Sequence, residues 1–238
     1  MSSKYFLHLT QLLQKIMITK RFIFSDEFIQ AVQWEIIAFA NERIAKANVF
    51  RIVLTGGNTA KTIYSNLIEC ETDWSKWEFY FGDERFVETG SPELNFSLAE
   101  EFLFSKVPVA YNSIVKFDTA LSLEDSAINY EKRVSKVDTF DLVLFGIGAD
   151  GHIASLFPNL QNDLKFVGDS VAIVTNSPKP PVNRFTLTLD RLNRSLRHLI
   201  FTEMKGKENI VSEILNGSFS YPISALSPLD SLKFFYLE

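Results

Sequence analysis

The chain has 238 residues, enough for one large α/β domain or two small ones, and a single domain with an insertion is the better expectation. Its formal net charge of -5 excludes a nucleic acid held by a basic face, although local basic residues can still bind a small anion. A single cysteine, Cys70, excludes an internal disulfide and a cysteine-cluster metal site, and fits a reducing, cytoplasmic setting.

The elements follow in chain order. Residues 5–18 are apolar in places, but Gln11, Gln14 and Lys15 interrupt them and no small-residue cleavage site follows, so neither a signal peptide nor a membrane span is expected. Residues 18–24 resemble a first strand. Asp26 is placed to cap a helix whose apolar positions Phe28, Ile29, Val32, Ile36, Phe39, Ala40 and Ile44 recur at helical spacing up to about Ala47. A short buried strand over 49–54 then turns through Thr55-Gly56-Gly57-Asn58-Thr59 into a second helix. Another strand over 77–81 ends at Gly82-Asp83-Glu84-Arg85. Helices are expected over 95–104 and 123–134, and a buried strand over 141–145. The remainder reads as strands over 171–175, 185–189 and 198–202, with helices from about Asp190 and over 207–215. The alternation predicts an α/β fold: a mainly parallel, Rossmann-like sheet with helices on both faces.

Residues 141–158 carry the strongest chemical signal. A buried strand empties into a glycine-rich turn that delivers Asp150 and His152 to the start of the next element, where a parallel α/β sheet places its ligands. Gly146, Gly148 and Gly151 let the backbone bend and leave the imidazole among free backbone amides. The same glycines satisfy a dinucleotide fingerprint. That reading requires an acidic residue at the end of the following strand, about 20 residues on, and the strand over 171–174 ends in Thr175 and Asn176 instead.

Other residues fit an anionic ligand. The glycines and hydroxyls of residues 55–59 can expose amides to a phosphate at a helix N-terminus, or they form an ordinary tight turn. They are not a Walker loop, because Thr55 and Ala60 replace required glycines. Asp83-Glu84-Arg85 ends a strand on the same sheet edge. Arg184 opens a strand after a proline-rich stretch, and Lys207 starts a helix, where a cation gains nothing from the helix dipole. The histidines His8, His152 and His198 have no metal-ligand spacing, so neither a metal nor a cofactor is expected.

Together these stretches resemble the 6-phosphogluconolactonase family, a branch of the glucosamine-6-phosphate isomerase-like sugar-phosphate enzymes. The resemblance runs from about Phe24 to Leu226, so the chain divides into residues 1–23, an N-terminal extension with the first strand, and residues 24–238, the family domain. It rests on residues 54–59, on Gly82-Asp-Glu-Arg-Phe-Val87 with Asn95, on residues 179–188, and above all on residues 146–158, which match the family's G-x-G-x-D-G-H-x-A-S-L-F-P loop. The related deaminases have a ring-opening Glu where this chain has Phe157. Glu88, Leu94 and Met204 depart from the family pattern at the edges of the expected pocket.

The resemblance implies hydrolysis of 6-phospho-D-glucono-1,5-lactone in the oxidative pentose phosphate route. A lactone is an activated ester, so a general base for water and donors for the oxyanion suffice. His152 is the expected base, with Asp150 orienting it and Arg85 at the carbonyl. Gly56, Gly57, Asn58, Thr59, Asp83, Arg184 and Lys207 are the expected substrate and phosphate contacts. Ser155 lacks a nucleophile elbow and is expected to cap or pack a helix start. The alternatives are an isomerase-deaminase and a non-catalytic sugar-phosphate-binding protein. The partner is a small sugar-phosphate lactone, not nucleic acid or membrane, and the sequence leaves monomer and homodimer both open.

Overall fold

A computed structural model describes residues 17–158 and 164–238; the expected extension before Met17 lies outside the described residues. In chain order the elements are β1 (Met17–Phe22), α1 (Ser25–Ala47), β2 (Phe50–Leu54), α2 (Asn58–Leu67), β3 (Trp77–Phe81), β4 (Asp83–Arg85) and α3 (Asn95–Ala99). There follow α4 (Leu123–Val134), β5 (Phe140–Phe145), β6 (Leu164–Phe166), β7 (Val171–Val174) and β8 (Arg184–Leu187). The chain ends with α5 (Leu189–Asn193), β9 (Ser195–Glu203), α6 (Glu208–Leu215) and β10 (Ser231–Leu237).

Six strands form an all-parallel sheet in the order β1-β10-β9-β5-β2-β3, flanked by helices, as the alternation predicts. All six residues of β5 are buried, the mark of a central parallel strand covered on both faces. Helix α1 buries Phe28, Val32, Ile36, Phe39 and Ala40, one stripe at helical spacing, and the Phe39 ring meets Phe50 edge-on, which in turn meets Trp77. Tyr80 points to the opposite face by the two-residue strand period, and there it packs on Phe140, whose ring carries the Arg191 guanidinium at 3.9 Å.

Several local expectations need correction. Phe24, not Asp26, occupies the N-cap of α1, and Asp26 sits in the first turn, where its charge favours the helix dipole without a capping hydrogen bond. The helix expected over 95–104 is α-helical only to Ala99 and continues as a π-helical turn over Glu100–Phe104. Strands β7 and β8 do not join the parallel sheet. They form a second, antiparallel sheet, β4-β8-β7-β6, which branches off where the chain leaves β3. At the branch, Gly82 N donates to Leu54 O in the first sheet while Gly82 O accepts from Leu187 N in the second. Strand β10, absent from the sequence reading, lies between β1 and β9.

Two buried tyrosines close strand ends beside the site. The Tyr64 hydroxyl donates to Thr55 O at 2.7 Å and accepts from Thr55 N at 3.1 Å; the Tyr130 hydroxyl does the same for Phe81 O and N, both at 2.8 Å. Each phenol satisfies two backbone groups that its strand leaves unpaired. Tyr130→Phe orphans both groups of Phe81 and is expected to lower stability by about 1–3 kcal/mol in urea unfolding, the cost of buried unsatisfied groups. A change below a few tenths of a kcal/mol would mean that water replaces the phenol.

Candidate active site

A cleft of about 160 Å³ opens at the C-terminal edge of the parallel sheet, lined by residues 55–60, Asp83, Arg85, Asn95, residues 146–148, His152, Ala154, Arg184, Phe201 and Lys207. The chain passes from β2 to β3 on one side and from β5 to β9 on the other, so the loops after β2 and β5 diverge between neighbouring strands. That divergence makes the crevice.

The loop after β5 forms its floor. No helix begins within its described residues: Gly151 N donates to Gly148 O, Gly148 N to His152 O, and Ile153 pairs with Leu156 in a tight turn. Several of the amides expected to be free are therefore engaged, and among the described residues of the loop no helix N-terminus stands ready for a dinucleotide pyrophosphate. Asp150 Oδ1 lies 2.5 Å from His152 Nδ1 and 3.2 Å from Lys179 Nζ. Burial opposes the Asp150 charge, but the hydrogen bonds and positive charge of His152 and Lys179 outweigh it and hold the carboxyl below the usual carboxylate range. An ionised carboxylate only accepts, so Nδ1 carries a proton, and in the neutral imidazole the lone pair is then on Nε2. His152 lines the cleft and Asp150 stands behind it. A Cβ at Gly148 would lie 2.1 Å from the His152 ring and 2.7 Å from Asp150 Oδ1, so only glycine leaves room for the pair.

The Phe157 ring packs on the imidazole with centroids 4.6 Å apart, at the position where the deaminases carry a carboxylate. Ser155 caps no helix. It is buried, and its hydroxyl donates to Asp83 Oδ2 at 2.7 Å. Asp83 Oδ1 accepts from Asn95 Nδ2 at 3.1 Å, and the same amide nitrogen donates to Asp83 O at 2.9 Å. These two acceptors fix the Asn95 amide, leaving Oδ1 without a partner in the cleft wall; a Cβ at Gly56 would lie 1.9 Å from it. Arg85 also lines the cleft, with its Nε unpartnered and one terminal nitrogen donating to Glu93 O. Asp83 thus spends both carboxylate oxygens on the protein.

The loop after β2 supplies the anion-facing wall. The first bond of α2 runs from Lys61 N to Gly57 O, so the amides of Asn58, Thr59 and Ala60 have no intrahelical acceptor. Lys207 occupies the N-cap of α6 and donates from Nζ to Thr202 Oγ1 at 2.9 Å. Arg184 is only 4% exposed, and its guanidinium donates to the carbonyls of Lys179, Pro180 and Pro181. Burial lowers the proton affinity of both cations. Every expected site residue except Asp150 lines the cleft, while Glu88, Leu94 and Met204 do not. Two contacts escaped the sequence reading. Ser155 starts no helix among the described residues, and Lys179 enters the sequence reading only as part of the stretch 179–188.

The site stands in a known family. A family model described as glucosamine-6-phosphate isomerases/6-phosphogluconolactonase matches residues 24–233. The chain belongs to that family. The 6-phosphogluconolactonase of Thermotoga maritima is 33% identical over 196 residues, 82% of this chain and 87% of that one. The chloroplastic 6-phosphogluconolactonase 3 of Arabidopsis thaliana is 34% identical over 218 residues, 83% and 65% of the two chains. The crystal structure of the Thermotoga maritima 6-phosphogluconolactonase matches with a TM-score of 0.83 at 28% identity, covering 92% of this chain and 99% of that one. The family match extends beyond Leu226 into β10.

Next to Asp83, Glu84 is 1% exposed, and its carboxylate accepts the amide protons of Arg85, Asn95 and Phe96, holding the start of α3. Burial pushes its carboxyl from 4.5 up to about 7, against the three N–H donors that favour the charged form. A folded-state value above the unfolded one means that the group's stabilisation is complete below pH 4.5 and is lost as pH rises towards about 7. Compared with Glu84→Gln, the wild type is expected to lose up to about 3 kcal/mol of unfolding free energy across that window and then run level. A pH-independent difference would show that the carboxylate is charged throughout.

Proposed function

We propose that this protein hydrolyses 6-phospho-D-glucono-1,5-lactone to 6-phospho-D-gluconate in the oxidative pentose phosphate pathway, with His152 as general base. The observation that carries this reading is the His152–Asp150 pair, with Nδ1 engaged and Nε2 free on the wall of a polar, cation-lined cleft. Phe157 supports lactone hydrolysis over amino-sugar deamination, since it sets an apolar ring against the imidazole where ring-opening chemistry needs a carboxylate.

Water held at Nε2 attacks the lactone carbonyl carbon as the imidazole takes its proton. The negative charge that develops on the carbonyl oxygen is met by Arg85 and nearby loop amides. When the tetrahedral intermediate collapses, the bond from C1 to the ring oxygen breaks, and that oxygen takes the proton back from the imidazolium. The immediate products are a carboxylic acid and a free hydroxyl, with one water consumed, and the acid then releases its proton to solvent to become the carboxylate. Asp150 keeps its charge throughout and stabilises the imidazolium while it lasts.

The 6-phosphate is assigned to the N-terminus of α2, where the amides of residues 58–60 and the helix dipole favour an anion, with Lys207 and Arg184 supplying charge. Gly56 and Gly57 keep that wall low. Asp83 holds Asn95 in the cleft wall, where its buried Oδ1 has no partner. No metal or cofactor enters the reaction as written. The single cysteine fits a cytoplasmic setting, and among the described residues no helix is long and apolar enough to cross a membrane.

The test is hydrolysis of freshly generated phosphogluconolactone, with the spontaneous rate subtracted. His152→Ala is expected to lower kcat by about 10²–10⁴, the usual worth of a positioned base, while 6-phosphogluconate binds with nearly unchanged affinity. Near wild-type turnover in the variant would remove His152 from the mechanism. No acceleration by the wild type would leave a sugar-phosphate-binding protein without this activity.

A further inference from the structure

Asp150 Oδ1 is a point of convergence. The imidazole approaches it from the cleft, and the Lys179 ammonium approaches it at 3.2 Å, although Lys179 itself does not line the cleft. The ammonium is carried on a stiff support. Pro178, Pro180 and Pro181 restrict the backbone on both sides of Lys179. Ser177 Oγ donates to Lys179 O at 2.8 Å and accepts from Lys179 N at 3.3 Å. Arg184 adds three donations to the same loop, to the carbonyls of Lys179 (3.3 Å), Pro180 (2.9 Å) and Pro181 (3.1 Å). A lysine side chain is otherwise a mobile point charge. Here its attachment is fixed, and the one residue that fixes it most, Arg184, is also a wall of the cleft.

The charges around the pair come from several elements. Lys179 stands on the proline loop and Arg184 on β8; Arg184 is faced in turn by Asp83 and Arg85 of β4, and Lys207 at α6 faces Lys179. Of these, only Lys179 makes a direct ion pair with Asp150 among the described residues. The consequence is electrostatic. A carboxylate whose only partner is an imidazole directs its whole charge onto the ring and favours the imidazolium, which cannot accept a proton from water. A second cation on the same oxygen takes up part of that charge and fixes the carboxylate in place.

We propose that Lys179 is a positioning residue of the reaction, whose ammonium, borne on the loop braced by Arg184, holds and charge-balances Asp150 so that His152 meets the cleft with Nε2 ready to take a proton. The proposal rests on the reading of His152 as the base. It also couples the two ends of the site, because the cation assigned to the phosphate end holds the loop that sets the base.

The experiment compares wild type, Lys179→Met, Lys179→Arg and His152→Ala. It measures kcat and KM for phosphogluconolactone hydrolysis across the acid limb, and the inhibition constant of 6-phosphogluconate. For Lys179→Met the expected result is a fall in kcat of about 10- to 100-fold, the scale of a misplaced catalytic group, with KM and the inhibition constant within about twofold. Its acid limb should also move to higher pH, since the ring then bears the carboxylate's full charge. Lys179→Arg should restore most of the rate and the position of the limb. Retained product affinity shows that the variant is folded, and a merely structural role would move neither the limb nor its rescue.

An unchanged kcat and pH profile in Lys179→Met, beside an inactive His152→Ala, would overturn this proposal and leave the base assignment standing. So would a KM and inhibition constant weakened by more than about tenfold at constant kcat, which would make Lys179 a direct phosphate contact. An active His152→Ala would instead remove the base assignment on which the proposal rests.

Discussion

The buried carboxylate of Asp83 joins three parts of the chain that are distant in sequence. It sits at the start of β4, just past the glycine where the parallel sheet branches into the antiparallel one. One oxygen accepts from Asn95 at the start of α3 and the other from Ser155 in the loop that carries His152. A buried carboxylate needs such donors to stay in place, and each donor is itself fixed by the bond. The cleft wall, the loop floor and the second sheet therefore share one set of coordinates. Neighbouring Glu84 repeats the device with backbone amides, so the short β4 strand anchors the site twice.

The same economy governs the His152–Asp150 pair. A histidine acts as a base only if its tautomer is set and its free nitrogen faces substrate. Asp150 sets the tautomer, Gly148 leaves the space, and Phe157 covers the ring face. None of these needs to touch the substrate. The cations divide their tasks in a comparable way. Lys207 stands at the cleft with its ammonium on Thr202, whereas Arg184 spends three donations on the proline loop and offers the cleft what remains. Arg184 is thus both wall and brace, and truncating it would loosen the loop as well as remove a charge.

Much of this was legible in the sequence, for identifiable reasons. The buried run of β5, the apolar stripe of α1 and the glycine-rich breaks after β2 and β5 are local signals, and local signals place a parallel sheet and its C-terminal loops. What escaped depends on distant pairing. Strand β10 lies between the first strand and β9, with no hairpin turn to announce it. Every residue of β7 and β8 is buried, as in a central parallel strand, so local pattern does not separate the two sheets. Nothing local to Ser155 distinguishes a helix cap from a donor to a carboxylate 72 residues earlier. Lys179 likewise becomes part of the site only through a contact with Asp150, 29 residues back along the chain and outside the cleft lining.

The orientation of a sugar phosphate between α2 and His152 decides the roles of both, and a crystal structure of the protein with 6-phosphogluconate measures it directly. The predicted result places the phosphate at the amides of residues 58–60 with Lys207 and Arg184 beside it. It also places the C1 carboxylate within about 3.2 Å of His152 Nε2, the reach of a general base. A product bound in the reverse sense, with its phosphate at His152 and its carboxylate at α2, would contradict both the anion site and the assignment of the base.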